Sequence, residues 1–102
     1  MNIKIQSPHF TPHEQLEDLV TKKIKRLSHF YDRIEAAEVC LKLDPSGSND
    51  NKVCEIRLAV PGTDLFSKRK SDQFAKAVNE TVNILQRQIE KMKTRFEKAK
   101  GK

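Results

Sequence analysis

The sequence predicts an α+β fold of order β-α-β-β-β-α: a four-stranded sheet with two near-parallel helices on one face. Three observations predict it. Short stretches such as residues 2–6 and 52–60 alternate apolar and polar residues, the period of a half-buried strand. Two longer stretches, roughly 12–30 and 72–98, repeat apolar residues at steps of three and four, the period of a helix. Turn-forming residues punctuate the chain between them.

Asn2 to Gln6 places Ile3 and Ile5 on one side and is a short first strand. Ser7-Pro8-His9-Phe10 turns the chain. Thr11-Pro12-His13-Glu14 then reads as a helix start, with Thr11 as N-cap, Pro12 at the first helical position and Glu14 completing a capping box. Leu16, Leu19, Val20, Ile24, Leu27 and Tyr31 continue the stripe to about residue 30. Lys22, Lys23, Lys25 and Arg26 load the last part of this helix with cations, opposing the negative end of its macrodipole. Lys23 falls inside the apolar stripe by helical angle. Either its stem covers the core edge while the ammonium reaches solvent, or it lines a groove against the second helix.

Ile34 to Leu43 is the second strand. Asp44 to Asn51 is dense in turn formers and is a loop. Lys52 to Val60 alternates cleanly as the third strand, and Pro61-Gly62 is a turn. Thr63 to Arg69 is a weaker fourth strand at an edge, where Lys68, Arg69 and Lys70 discourage edge-to-edge pairing.

Ser71 to Lys98 closes the fold as one long helix with two faces. Phe74, Val78, Thr81, Val82, Leu85, Ile89, Met92 and Phe96 form the apolar stripe, and Ser71 or Asp72 can cap its start. Lys76, Arg87, Lys91 and Lys98 lie opposite that stripe. From Gln86 to Lys102 there are seven basic residues against two acids, so this end carries nearly all of the formal net charge of +6. With a pI near 9.5, that concentration points to a polyanionic partner.

Topology says where those cations go. The first helix crosses between two parallel strands and runs antiparallel to them. Two hairpins then reverse the chain twice, so the last helix returns parallel to the first. Lys22, Lys23, Lys25 and Arg26 would meet Arg87, Lys91, Arg95 and Lys98 across one groove or shelf.

The 102 residues suit one domain, 1–102, with a basic tail from about residue 99. No apolar run is long enough to span a membrane, and Met1-Asn2-Ile3-Lys4 enters a strand pattern directly. A cytoplasmic protein is expected. Cys40 and Cys54 are the only cysteines. Cys40 alternates with Val39 and Leu41, whereas Cys54 shares a face with Ile56, Leu58 and Val60. The two sulfurs should therefore lie on opposite sides of the sheet as free thiols.

No catalytic constellation, Gly-rich phosphate loop or metal-ligand spacing is present, so neither an enzyme nor a cofactor is expected. A general double-stranded RNA-binding module is the alternative, since it also reads A-form shape with cations. Such a module opens with a helix, however, and carries its basic cluster at the start of the last one. A homo-oligomer formed through the sheet face is disfavoured by the polarity of the outward set Val53, Glu55, Arg57 and Ala59; a free monomer is expected. One Tyr, no Trp and five Phe, two of them in the core stripe, leave few platforms for stacking bases.

The element order, Thr11-Pro12, Lys23 with Arg26-Leu27, Asp32-Arg33-Ile34, Pro61-Gly62 and above all Leu85-Gln86-Arg87-Gln88-Ile89-Glu90-Lys91 resemble the ribosome hibernation-promoting factor family, which includes ribosome-associated inhibitor A. The resemblance implies a translation inhibitor on the small ribosomal subunit. It would cover the mRNA and tRNA channel and preserve inactive ribosomes under stress or in stationary phase, with a ribosome modulation factor as a candidate partner. Lys23, Arg26, Arg87 and Lys91 match the family's rRNA-contacting positions. Gln73-Phe74-Ala75 stands where members often read Asp-Met-Tyr, which removes an aromatic contact at position 75. Without an additional C-terminal domain or an acidic tail, the chain resembles the short form.

Overall fold

The structure, a computed structural model, describes residues 1–47 and 49–100, with side chains as far as Thr94. Its elements are β1 (Asn2–Gln6), α1 (Glu14–Phe30), β2 (Ala36–Leu43), β3 (Lys52–Val60), β4 (Thr63–Ser71) and α2 (Phe74–Lys100). The strands form one sheet in the order β1-β2-β3-β4. β1 pairs parallel with β2; the other pairs are antiparallel. The predicted α+β architecture is the observed one.

Strand parity decides which face is covered. Ile3 and Ile5 of β1 pair with Ala37 and Val39 of β2, and Val39 and Leu41 pair with Ile56 and Cys54 of β3. These inward residues join Val20, Ile24 and Leu27 of α1 and Ala77, Val78, Val82, Leu85 and Ile89 of α2 in one core cluster. Both helices therefore lie on the same face, and the other face is left to solvent. Thr81 is the buried polar member of the α2 stripe; its hydroxyl donates to the Ala77 carbonyl at 2.7 Å and lies 3.3 Å from the Cys54 carbonyl. Cys54 faces the core, whereas Cys40 pairs with Glu55 on the open face, and both are free thiols as the alternation requires. Burial pushes the Cys54 thiol up to about 12.

The two helices are parallel and held at both ends. Phe10, just before α1, stacks on Phe74 at the start of α2, ring centroids 4.8 Å apart. At the other end, Lys93 of α2 reaches Phe30, the last residue of α1.

Both helix starts differ from expectation. α1 begins at Glu14, and His13 is its N-cap with no side-chain cap bond. Thr11 and Pro12 precede it, so no capping box forms. The tertiary structure claims this stretch instead: Phe10 packs on Phe74, the His9 ring accepts the Leu43 N–H at 3.2 Å, and the His13 carbonyl accepts from Leu16 and Glu17. Ser71 ends β4 rather than capping α2, and the Ala77 N–H bonds to the Gln73 carbonyl. The Asp72 carboxylate accepts from the Ser71 hydroxyl and pairs with Lys76, whose hydrogen bond chiefly holds it below the usual carboxylate range. β2 starts two residues later than the apolar pattern suggests, with Ile34 buried in the turn before it. β4 runs two residues further, through Lys70 and Ser71.

Candidate nucleic-acid interface

Helical geometry and two anchoring contacts fix where the cations of α2 point. Lys93 faces α1: its ammonium donates to the Phe30 carbonyl at 3.3 Å and lies 4.5 Å from the centroid of the Phe30 ring. It supplies the positive charge that the C-terminal carbonyls of α1 call for. The opposite flank of α2 faces β4, where the Gln88 amide donates to the Phe66 carbonyl and Glu80 pairs with Arg69. At about 100° per residue, Arg87 lies roughly 120° and Lys91 roughly 160° around the helix from Lys93. Both are exposed on the outer surface and far flank of α2, where Arg87, Glu90, Lys91 and Thr94 line a shallow open hollow.

On α1, Lys23 is half-buried and, by the same step, close in angle to Phe30, on the flank toward α2. Arg26 lies next to it, exposed. Lys22 and Lys25 turn outward and line a second open hollow with Asp18, Thr21, Arg26 and His29.

Phe30 beside Lys93 is an offset of 63 residues between the helices. The same offset puts Arg26 level with Ile89, between Arg87 and Lys91. The two basic runs thus sit at one height on neighbouring helices, whose axes lie about 8–10 Å apart when packed. The two runs do not face each other across a groove, because Arg87 and Lys91 turn roughly 120–160° away from the side of α2 that meets α1. The cations instead pave a convex shelf. Arg95 and Lys98, with the stripe residue Phe96, lie outside the described side chains.

Electrostatics separates this shelf from the rest of the surface. Among the described residues, none of Lys22, Lys23, Lys25, Arg26, Arg87 and Lys91 forms an ion pair. The sheet-side cations do: Lys42 and Lys68 share Glu55, Lys70 pairs with Asp44 and Arg69 with Glu80. The hydrogen bond from Lys42 chiefly holds Glu55 below the usual carboxylate range, and that from Lys70 does the same for Asp44. Unpaired cations at one level of two parallel helices can neutralise successive phosphates without first giving up a carboxylate.

The model of the Sigma 54 modulation protein / S30EA ribosomal protein family matches residues 3–97. The chain belongs to that family. It is 31% identical over 87 residues to a ribosome hibernation promotion factor of Deinococcus radiodurans, a match covering 83% of this chain and 45% of that relative. The chain thus spans less than half the length of the relative. Among solved structures, it resembles a ribosomal subunit interface protein from Coxiella burnetii with a TM-score of 0.82 at 21% identity, covering 92% of this chain and 99% of that one. It also resembles the N-terminal domain of Protein Y from Thermus thermophilus with a TM-score of 0.77 at 26% identity, covering 90% and 99%. Among the described residues, no helix is long and apolar enough to cross a membrane.

The places of two residues escape a reading of charge and pattern alone. Lys93 resembles its basic neighbours by charge, yet its helical angle places it beside the apolar stripe, and it serves the helix–helix seam. Phe66 faces solvent on the uncovered side of the sheet, 46% exposed.

Proposed function

We propose that this chain is a ribosome hibernation factor. It binds the small ribosomal subunit at the mRNA/tRNA channel, inhibits translation, and preserves inactive ribosomes under stress or in stationary phase. In this reading it acts in the cytoplasm, is a monomer when free, turns over no substrate, and has a ribosome modulation factor as a candidate partner. The observation that carries the reading is the shelf of unpaired cations, Lys22, Lys23, Lys25 and Arg26 level with Arg87 and Lys91, in a member of this family. Arg95 and Lys98 extend the α2 run in sequence and complete the proposed rRNA-binding set.

Mechanistically, the protein is a plug. The core fixes the two helices parallel and the cations meet rRNA phosphates, so binding is driven by counterion release and by shape. Inhibition then follows from occupancy. In a cell-free translation system, synthesis should fall in proportion to the fraction of ribosomes occupied. Full inhibition at a small fraction of the ribosome concentration would instead reveal turnover and refute the reading. Equal affinity for isolated RNA duplexes and for small subunits would favour the general double-stranded RNA-binding module.

A further inference from the structure

We propose that the open face of the sheet is a second, separate RNA surface that takes single-stranded RNA, with a base stacked on Phe66. The covered face and its helices play no part in it. Phe66 is one of two large apolar residues left exposed among those described, the other being Met1 at the chain start. It pairs in register with Arg57 of β3, whose guanidinium lies over its ring, 5.9 Å from the centroid. Arg57 forms no ion pair among the described residues, although Glu38 stands opposite it in register and lines the hollow beside Phe66 together with Glu55. An aromatic ring with a guanidinium beside it on a solvent-facing sheet is the arrangement on which unpaired bases stack.

The backbone of the strand would be followed by the rest of β4. Phe66, Lys68 and Lys70 alternate on the open face, a row with steps of about 6.8 Å. Beyond Phe66, this row runs into a hollow of about 700 Å³ lined by Lys42, Lys68 and Lys70 with Val53 at its floor; Lys70 pairs there with Asp44, while Arg69 on its rim pairs with Glu80 on the covered side. Val53 points outward yet is only 3% exposed, since Lys42 and Lys70 flank it in register. Lys42 and Lys68 share one carboxylate, Glu55, which leaves one positive charge in excess. Exposed pairs of this kind contribute little and give way readily to a phosphate. An exposed ring with a guanidinium against it, continued by the Lys68–Lys70 row, favours RNA over an apolar protein partner.

The test is fluorescence anisotropy of a short fluorescein-labelled oligoadenylate with the full chain. Phe66→Ala should weaken binding about 5- to 160-fold, the range for losing one stacked base, while Phe66→Tyr restores it. Arg87→Ala, on the helical shelf, should weaken it less than Phe66→Ala does. Phe66 lies on the open face, outside the core cluster, and only its backbone carbonyl is used by Gln88, so the variant keeps the fold; an unchanged melting temperature checks this. Binding unaffected by Phe66→Ala, or equally weakened by Arg87→Ala, overturns the proposal. So does self-association in sedimentation that Phe66→Ala abolishes while oligoadenylate binding survives, which would assign the face to a second copy. Loss of ribosome binding in Arg87→Ala tests the helical shelf independently of this face.

Discussion

Lys93 offers a way to separate a cation that holds the fold from cations that meet a partner. Lys93→Ala removes a charged donor from the Phe30 carbonyl at 3.3 Å and a cation from the Phe30 ring at 4.5 Å. A hydrogen bond from a charged group at a half-exposed position contributes about 1 kcal/mol, after discount for solvent screening. The cation–π contact adds about 0.5 kcal/mol, the value for exposed sites. The sum, about 1.5 kcal/mol, corresponds to a melting temperature lower by roughly 6–12 °C in a domain of this size. Calorimetry and urea titration at neutral pH measure it; the midpoint should fall with an unchanged m-value. Lys93→Met keeps the stem over the ring and should recover part of the loss. Arg87→Ala and Lys91→Ala, exposed and unpaired, should stay within about 0.5 kcal/mol of wild type. A Lys93→Ala melting temperature within 2 °C of wild type, or an equal loss in Arg87→Ala, would refute the division of labour.

Two further predictions concern ionisation. Cys54 has its thiol pushed up to about 12 from an ordinary 9.0, so the folded state holds its proton more tightly than the unfolded chain. Stability should therefore fall as pH rises above about 9, and Cys54→Val should flatten that fall; in a thiol-labelling assay the native protein should react at Cys40 and reach Cys54 only on unfolding. Glu55 is depressed from an ordinary 4.5, chiefly by the Lys42 hydrogen bond, so its contribution is present above pH 4.5 and is lost as pH falls through its folded value. Acid titrations followed by circular dichroism should show Glu55→Gln less acid-sensitive than wild type in that window; the same dependence in both would contradict the pairing.

The sheet was legible because its inward residues leave no choice of parity. One slip at Val39–Leu41 or Ile56–Val60 would expose the whole core set, and the free thiols on opposite faces follow from the same alternation. The parallel helices were legible because a crossover and two hairpins fix the direction of α2. The helix starts were not, because Thr11-Pro12 and Ser71-Asp72 satisfy local capping rules that tertiary contacts override. Phe10 must reach Phe74, His9 must meet Leu43, and pairing with Lys52 draws Ser71 into β4. The convergence of two basic runs at one height could be reasoned from topology. The choice between a groove and a shelf could not, since it depends on which flank of α2 meets α1. That flank is set by Lys93, and its angle beside Val82 and Ile89 was the available signal. The side taken by Phe66 is not legible, because neither parity class of β4 is strongly apolar and the sequence pattern does not say which side of the sheet it takes.

The central claim is that the shelf, and not net charge, binds the small ribosomal subunit. Its most direct test is co-sedimentation with purified small subunits across a salt series for wild type, Arg87→Ala, Lys91→Ala and Lys52→Ala. Lys52 lies at the far end of the molecule from the shelf, at the start of β3, where its ammonium bonds to Asn51. Arg87→Ala and Lys91→Ala should each weaken binding and reduce the log–log salt slope by about 0.7–0.9, the loss of one neutralised phosphate. Lys52→Ala should leave both affinity and slope unchanged. An equal loss in Lys52→Ala would mean that the charges are interchangeable, and would contradict the account.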